Sequence, residues 1–330
     1  MQLTNALGSI KRFFKVFNRT TFIHKLFYFL AFLVCVMLIT NYGQGHGQDQ
    51  EQEQIEGFTQ KRPKFKTNDA IPDIYDDFYV SIYDDLVFSK GKNDYEINKL
   101  IEYTKLPKKS SILDIGSGTG HHVNSLLEHG YKAQGIDISP SMIKKAKKNY
   151  PKSKFEEVDA LDSMSFTAQS FNEITCFYFT VYYIQNKQKF FENCMKWLIP
   201  GGFLALHLVN RDKFDPIIPA GNPFNIVSPQ KYAKKRIMNT IVKFDNFEYK
   251  SKFELKDAVD GKSEPNALML ETFKNLKDGN IRKNDHKLYM PTQAEILDLA
   301  KSVGFIIHSK IDMLNCQYES QYVYILQKPT

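Results

Sequence analysis

The run ILDIGSGTG at residues 112–120 constrains the fold of this chain more than any other feature of its sequence. Its apolar first half predicts a buried strand, and its glycines predict a tight turn that opens a helix. Glycine accepts a positive φ and lets the backbone approach a ligand, and a helix N-terminus offers free N–H groups. We therefore expect a ligand to bind along this turn, at Gly116, Ser117, Gly118 and Gly120.

Apolar strands alternate with helical patterns around this turn, which predicts a parallel, doubly wound α/β sheet. Strands are expected at 110–115, 132–137, 153–158, 173–179 and 203–209. Helices are expected near 119–129, 140–149 and 187–198. The α/β pattern returns late in the chain, with a helix at 292–302 and strands near 304–313 and 319–327.

Two segments depart from this alternation. Ahead of the first strand we expect short helices over 71–90 and an amphipathic helix over 93–105 with Asn93 as its cap. Residues 210–290 carry alternating β-branched and aromatic residues, which predict an antiparallel β insertion after the fifth strand.

Three aspartates close successive strands of the predicted sheet: Asp114, Asp137 and Asp159. Parallel strands end at one edge of a sheet, where open α/β folds bind their ligands, so these side chains should lie together. Asp137 is placed to accept hydrogen bonds from both hydroxyls of a ribose, and Asp159 lies where the amino group of an adenine would arrive. One such acid could be a helix cap, but three at matched positions favour a ligand site.

The spacing of the glycines separates two kinds of ligand. Dehydrogenases that bind dinucleotides carry G-x-G-x-x-G, whereas this turn has the tighter spacing G-x-G-x-G. Asp114 precedes the first glycine by two residues, where it would repel a pyrophosphate but suits the ammonium group of an amino acid. A nicotinamide-dependent oxidoreductase is therefore the poorer of the two interpretations.

LDIGSGTG, GIDIS and VDA resemble the successive cofactor motifs of class I S-adenosylmethionine-dependent methyltransferases, and IPGG at 199–202 resembles their turn before the fifth strand. The resemblance covers residues 75–210 and, more loosely, 285–328. It implies a Rossmann-like, seven-stranded sheet whose last strand is antiparallel, with S-adenosylmethionine as methyl donor and no metal. It also adds four residues to the expected cofactor site: Ile138, Met142, Ala160 and Tyr178.

A weaker resemblance concerns the segment before the first strand, which is similar to aminosugar N-methyltransferases and related small-molecule enzymes. It rests on Tyr83-Asp84, on Lys92 with Asp94-Tyr95, and on the insertion at 210–290. It implies that residues 71–95 and part of the insertion form a lid, with Tyr83 and Tyr95 facing the donor. One residue interrupts the Lys-Asp-Tyr cluster, and Tyr182-Tyr183 replaces a Gly-His-like pair, so the identity of the acceptor does not carry over.

Three residues are candidates for catalysis: Tyr183, His207 and Tyr83. Methyl transfer needs in-line alignment, and an amine acceptor must also lose its proton before it attacks. His207 points to the sheet edge or into the core depending on strand register, so a structural role stays open. The predicted function is methyl transfer to a small-molecule acceptor at nitrogen or oxygen. The alternative is a catalytically silent S-adenosylmethionine-binding scaffold at a membrane.

The first part of the chain predicts a membrane anchor. Residues 1–20 are basic, and the run from Leu26 to Thr40 carries no charge, which favours a transmembrane helix over 21–42. A cleaved signal peptide is the alternative, but no A-x-A-like site follows. Residues 43–70 read as a flexible polar linker, and 71–330 as the methyltransferase domain with 210–290 as its insertion.

The charges that flank the anchor predict its orientation. Five basic residues precede the run and none lies in 41–60, which places the N-terminus in the cytoplasm and the catalytic domain across the membrane. The cytosolic supply of the donor and the free cysteines argue for the opposite side. The localisation expected is therefore a single-pass membrane protein, with the lipid bilayer as partner through residues 21–42.

The remaining composition argues against two other partners. The net charge of +7 is spread without an arginine cluster, and no Asn-Pro-Pro-Tyr-like run follows the fourth strand, so nucleic acid is not the expected partner. The four cysteines show no metal-ligand spacing. A homodimer is left open.

Overall fold

The computed structural model describes residues 64–216, 233–256 and 264–330. The predicted basic segment (1–20), the predicted anchor (21–42) and most of the predicted linker lie outside these ranges, so membrane anchoring stays a prediction. Within the described ranges, no helix is long and apolar enough to cross a membrane.

The described residues form twelve strands and eight α-helices. The strands are β1 (Phe65–Asn68), β2 (Ser111–Ile115), β3 (Lys132–Asp137), β4 (Lys154–Glu157), β5 (Phe171–Cys176), β6 (Leu198–Val209), β7 (Asn239–Lys243), β8 (Phe247–Leu255), β9 (Ala267–Asn275), β10 (Ile281–Leu288), β11 (Ile306–Asp312) and β12 (Gln321–Gln327). The helices are α1 (Ile71–Ile74), α2 (Asp77–Val87), α3 (Lys90–Thr104), α4 (His121–Glu128), α5 (Pro140–Asn149), α6 (Thr180–Tyr183), α7 (Lys187–Trp197) and α8 (Gln293–Val303).

Seven strands form the central sheet, in the order β11-β12-β6-β5-β2-β3-β4. β2 pairs in parallel with β3 and β5, whereas β12 runs antiparallel to both β6 and β11. This topology confirms the predicted Rossmann-like sheet with an antiparallel last strand. The strands from β2 to β6 therefore all end at one edge, where a ligand site is expected.

The insertion after β6 forms a second sheet, in the order β1-β10-β9-β8-β7. Its strands pair antiparallel except β1, which pairs in parallel with β10. Residues 65–68 had been expected in the flexible linker, and this prediction was wrong because β10 offers them a strand edge. β10 also packs against α1 and α6, which brings the inserted sheet over the carboxyl edge of the central one.

Three apolar clusters hold these layers together. On one face of the central sheet, the single tryptophan, Trp197, is fully buried with Phe190 of α7. On the other face, Ile97 of α3 packs in a second cluster with β2. α2 joins the inserted sheet through Tyr79, which packs in a cluster with Phe273. The burial of these side chains fixes both sheets relative to α2.

Three predicted element ends were wrong. β6 begins at Leu198 rather than at 203, so the turn expected at 199–202 lies within this strand. α3 begins at Lys90, because the side chain of Ser89 caps it by accepting a hydrogen bond from the Lys92 backbone N–H at 3.3 Å. Asn93 therefore lies inside the helix and is buried. β5 ends at Cys176 rather than at 179, because Tyr178 takes a φ of +52°, which a strand cannot accommodate.

Candidate active site

A cavity of about 440 Å³ opens at the carboxyl edge of the central sheet, and we call it the sheet-edge cavity. Residues that end β2 and β3 or follow β4 form one wall, and residues 69–75 cover it. Nine residues singled out from the sequence line it: Tyr83, Gly116, Gly118, Asp137, Ile138, Met142, Asp159, Ala160 and Tyr183.

The glycine turn lines the cavity, and its backbone packs closely against Ile136 and Thr180. The backbone N–H groups of Gly116 and Ser117 both donate to the carbonyl of Ile136, at 2.8 and 2.9 Å. Gly116 has a φ of +70°, and a Cβ there would overlap the side chain of Thr180. Gly118 has a φ of +52°, and a Cβ there would lie 3.9 Å from the nearest atom, in the ring of Tyr83. Space and φ together therefore require glycine at Gly116, whereas only the positive φ favours it at Gly118.

Asp137 is a half-buried carboxylate that lines this cavity. Its Oδ2 accepts a hydrogen bond from Gly118 N at 3.0 Å, and its Oδ1 accepts one from Ser139 N at 2.9 Å. Burial raises the pKa of Asp137, although these backbone donors oppose the rise. Each carboxylate oxygen has a further lone pair. Asp137 can therefore accept two more hydrogen bonds from a ligand with vicinal hydroxyls.

The far end of the cavity combines apolar and polar groups. Met142 and Ala160 are buried, whereas Ile138 and Asp159 are exposed. Asp159 Oδ1 accepts a hydrogen bond from Leu161 N at 2.8 Å, which fixes the carboxylate at the rim. A flat, mostly apolar group with a donor at its edge would fit between these side chains.

Three predicted site residues support the turn without lining the sheet-edge cavity. Asp114 Oδ1 accepts a hydrogen bond from Thr175 Oγ1 at 2.6 Å, while its Oδ2 has no partner among the described residues. Burial raises the pKa of Asp114 to about 6. Ser117 is buried against Gly135, and Gly120 is the N-cap of α4, with a φ of +92°. These residues stabilise the turn on the side that faces away from the cavity.

A second cavity of about 140 Å³ adjoins the first, and we call it the tyrosine cavity. It lies between α2, β9, β10 and the residues that follow β5. Four residues line both cavities and form a shared wall: Tyr75, Tyr83, Thr180 and Tyr183. Tyr178, which the sequence placed near the donor, lines the tyrosine cavity, and its hydroxyl donates to the Val87 carbonyl at 2.9 Å.

A chain of hydrogen bonds leads from the shared wall into the inserted sheet. The hydroxyl of Tyr183 lies 3.0 Å from that of Tyr75 and 2.6 Å from His286 Nδ1. His286 Nε2 lies 2.7 Å from Glu271 Oε2. His286 and Glu271 are almost completely buried, with 3% and 1% of their surface exposed, and both line the tyrosine cavity. This Tyr–His–Glu chain is able to move a proton.

Residues 112–202, which carry the turn and most of the cavity floor, match a family described as a methyltransferase domain. This segment is a methyltransferase domain. Two curated proteins are also similar to part of this chain. A ubiquinone biosynthesis O-methyltransferase of Coxiella burnetii is 29% identical over 117 residues, which are 34% of this chain and 50% of the relative. A dTDP-4-amino-2,3,4,6-tetradeoxy-D-glucose N,N-dimethyltransferase of Saccharopolyspora spinosa is 27% identical over 40% of this chain and 55% of the relative.

The match thus spans about half the length of these curated relatives. Solved structures extend the likeness in fold over most of the chain. An S-adenosylmethionine-dependent methyltransferase from Clostridium acetobutylicum covers 77% of this chain and 98% of its own, with a TM-score of 0.56 and 18% identity. A sugar N-methyltransferase from Streptoalloteichus covers 86% of this chain and 100% of its own, with a TM-score of 0.53 and 16% identity.

S-adenosylmethionine, the cofactor of this family, fits the sheet-edge cavity of the methyltransferase domain. The free lone pairs of Asp137 suit its ribose hydroxyls, and the slot beside Met142, Ala160 and Asp159 suits its adenine. The methionine end would then lie towards Gly116 and the shared wall. No group of three or more potential metal ligands occurs in the described part of the chain.

Two predicted site residues lie elsewhere. Tyr95 was expected to face the donor, but its hydroxyl donates to the Asp312 carbonyl at 2.9 Å, because Lys92 and Glu96 occupy the inner face of α3. His207, a candidate for catalysis, lines neither cavity. The register of β6 turns it into the core, where burial lowers its pKa to about 3. His207 is therefore a neutral core histidine.

The sequence analysis missed Glu271, His286 and Tyr75. A signal for Glu271 exists in β9, where it occupies the buried face together with Ala267 and Phe273. A carboxylate in an apolar alternation of this kind needs hydrogen-bond partners inside the protein. Its main partner, His286, lies on β10, and the sequence does not reveal the register that joins them.

Proposed function

We propose that this chain transfers a methyl group from S-adenosylmethionine to a small-molecule acceptor, at nitrogen or oxygen. The shared wall carries this proposal, because a donor in the sheet-edge cavity and an acceptor in the tyrosine cavity would meet there. Ideal alignment of two reactants lowers a barrier by about 7–11 kcal/mol. The names of the two relatives support either oxygen or nitrogen as the methylated atom, since one is an O-methyltransferase and the other an N,N-dimethyltransferase.

The cofactor supplies an activated methyl group, so the residues of this chain need to bind, orient and exclude water. Asp137 and Asp159 hold the nucleoside, and Tyr75, Tyr83 and Tyr183 screen the reacting atoms from solvent. The tyrosine cavity measures only about 140 Å³, which favours a small acceptor group over a macromolecular one. Residues 21–42 would hold this site at a membrane; this part of the proposal rests on the uncharged run from Leu26 to Thr40.

Calorimetry and methyl transfer on the full-length chain in detergent micelles test the proposal. We expect S-adenosylhomocysteine to bind, and Asp137→Asn to weaken it at least about tenfold, since one charged hydrogen bond contributes about 1.5–3 kcal/mol. Asp162→Asn is the matched control, because Asp162 also accepts from a backbone N–H, that of Met164 at 2.9 Å, but lies outside the cavity.

The transfer assay uses tritiated S-adenosylmethionine with a cell extract as the source of acceptors. Label in the fraction of low molecular mass supports a small-molecule acceptor. Label confined to protein or nucleic acid contradicts it, and unchanged affinity in Asp137→Asn contradicts the placement of the donor.

A further inference from the structure

The lining of the tyrosine cavity favours a cation. Six tyrosines line it together with the buried carboxylate of Glu271, and its described lining contains no lysine or arginine. The faces of aromatic rings attract cations, and a buried carboxylate adds to that attraction. The tyrosines are Tyr75, Tyr79, Tyr83, Tyr178, Tyr183 and Tyr318; Lys92 Nζ already lies 3.4 and 5.2 Å from the ring centres of Tyr178 and Tyr318, so the other four rings are the ones open to a ligand cation.

Glu271 is held in its charged form by a full set of donors. Its Oε1 accepts hydrogen bonds from the hydroxyls of Tyr79 and Tyr249 at 3.0 and 2.8 Å, and its Oε2 accepts from Asn284 at 3.2 Å. Burial by itself would raise the pKa of Glu271, but His286 and these donors outweigh burial and lower it. The negative charge beneath the cavity is therefore permanent at neutral pH.

The charge on Glu271 determines which ring nitrogen of His286 carries hydrogen. A carboxylate only accepts hydrogen bonds, so Nε2, 2.7 Å away, is the nitrogen that donates to it. Nδ1 then keeps a lone pair and accepts from the Tyr183 hydroxyl at 2.6 Å. The Tyr75 hydroxyl, 3.0 Å away, then donates to the oxygen of Tyr183, which keeps one lone pair for a further hydrogen bond. The group that donates this hydrogen bond would lie at the shared wall, next to the methyl group of S-adenosylmethionine.

We infer that the acceptor is a protonated amine and that Tyr183 takes its proton while passing its own hydroxyl proton to His286. This inference rests on the proposed function and names its substrate class and its proton route. Tyr183 is the catalytic residue in it, because its oxygen touches the acceptor. His286 and Glu271 act through Tyr183 as positioning residues.

The proton and electron pairs balance over the two steps. An N–H bond of the ammonium group breaks as an O–H bond forms at Tyr183, and the former O–H of Tyr183 breaks as an N–H bond forms at His286 Nδ1. The lone pair left on nitrogen forms the new N–C bond, while the S–C bond of the donor breaks and its electron pair stays on sulfur. The imidazolium, stabilised by Glu271, returns its proton to water when the product leaves.

Binding distinguishes an amine from a neutral acceptor of the same shape. The probes are cyclohexylamine and cyclohexanol, titrated by calorimetry at pH 7.5 into the full-length chain saturated with S-adenosylhomocysteine. We expect the amine to bind at least about tenfold tighter, and Glu271→Gln to reduce that ratio to about threefold or less. Equal or tighter binding of the alcohol overturns the inference, and so does failure of both probes to bind. Failure of S-adenosylhomocysteine itself to bind would instead remove the proposed function.

The rate of methyl transfer to cyclohexylamine tests the proton route. We expect Tyr183→Phe and His286→Gln to lower kcat at pH 7 by about 10²–10⁴, as the loss of a general base does, with little change in KM. The pKa of an alkylammonium group lies near that of lysine, about 10.4, so the variants should regain rate between pH 7 and 10 as neutral amine becomes available. Burial raises the pKa of each neighbouring tyrosine, so those hydroxyls stay protonated over this range: Tyr75, Tyr79, Tyr83 and Tyr249.

Tyr95→Phe is the matched control, because it removes a hydroxyl that bonds to a backbone carbonyl outside both cavities. It should keep the wild-type rate and pH profile. S-adenosylhomocysteine affinity checks that each variant is folded, and His286→Gln supplies a second test if Tyr183→Phe is not. The inference is contradicted if Tyr183→Phe and His286→Gln stay slow at pH 10 or match the wild-type rate at pH 7. It is also contradicted if the wild-type protein binds the amine but does not methylate it.

Discussion

Lys92 Nζ lies 2.7 Å from Glu96 Oε1, and the two side chains of this ion pair are only 1% and 0% exposed. Glu96 Oε2 also lies 2.9 Å from His122 Nε2. Lys92 Nζ stands 3.4 Å from the centre of the Tyr178 ring, which lines the tyrosine cavity. Burial alone would raise the pKa of Glu96, but Lys92 and His122 outweigh it and hold it at about 2. The ion pair thus supports one wall of the candidate active site.

We expect Glu96→Gln to lower the free energy of unfolding by about 3–5 kcal/mol, because Lys92 would remain buried without its counter-charge. Urea unfolding followed by fluorescence measures this. Asp94→Asn is the matched control, since Asp94 pairs with Lys90 on the outer face of the same helix, with side chains 44% and 80% exposed. That change should cost about 0.5 kcal/mol or less. Equal losses in the two variants would show that the buried pair has no special role.

His207 predicts how stability depends on pH. Burial, with a contribution from Lys92, lowers its pKa to about 3, whereas an unfolded histidine titrates near about 6.5. The unfolded state therefore binds this proton first, and the contribution of His207 to stability falls as the pH drops from about 6.5 towards 3, by up to about 1.4 kcal/mol per unit. His207→Gln should remove this slope between pH 6.5 and 5, above the range in which Glu96 titrates in the unfolded chain. The exposed His308 provides the control, and an unchanged slope in His207→Gln would contradict the assignment.

The sheet-edge half of the site could be predicted from the sequence because it is local. Each of its carboxylates ends or follows a strand, and parallel pairing brings such ends together whatever the rest of the chain does. Asp137 and Gly118, only 19 residues apart, meet for this reason.

The Tyr–His–Glu chain could not be predicted, because it depends on contacts between distant segments. Tyr183 and His286 are separated by 103 residues, and they meet only because β10 packs against α6. The orientation of His207, which the sequence left open between the sheet edge and the core, also depends on register. A shift of one residue in the register of β6 would have turned its side chain to the other face.

Alanine at two glycines should act in opposite directions. Gly116→Ala places a Cβ on the Thr180 side chain at a φ of +70°, so we expect a loss of about 1–3 kcal/mol in stability and weaker S-adenosylhomocysteine binding. Gly91→Ala lies in the first turn of α3 with nothing within 4 Å of the new Cβ, and it should stabilise by about 0.4–1 kcal/mol. Thermal unfolding compares the two. Adding Thr180→Gly to Gly116→Ala should recover the part of the lost stability that comes from the overlap with Thr180. If no stability is recovered, the whole loss comes from the strained backbone at residue 116.

The predicted anchor at residues 21–42 leads to two measurements on membranes. Val34→Arg and Val36→Arg together should release the chain into the carbonate-extracted fraction, since each arginine at the centre of a span costs about 2.5–3.5 kcal/mol. Thr21→Lys, at the end of the predicted anchor, should stay membrane-bound because lysine there reaches the interface.

Protease treatment of intact microsomes tests the orientation of the predicted anchor. Five basic residues precede the run and none lies in 41–60, so we expect the methyltransferase domain to resist digestion until detergent is added. Digestion without detergent would place the domain in the cytosol, beside the supply of its donor.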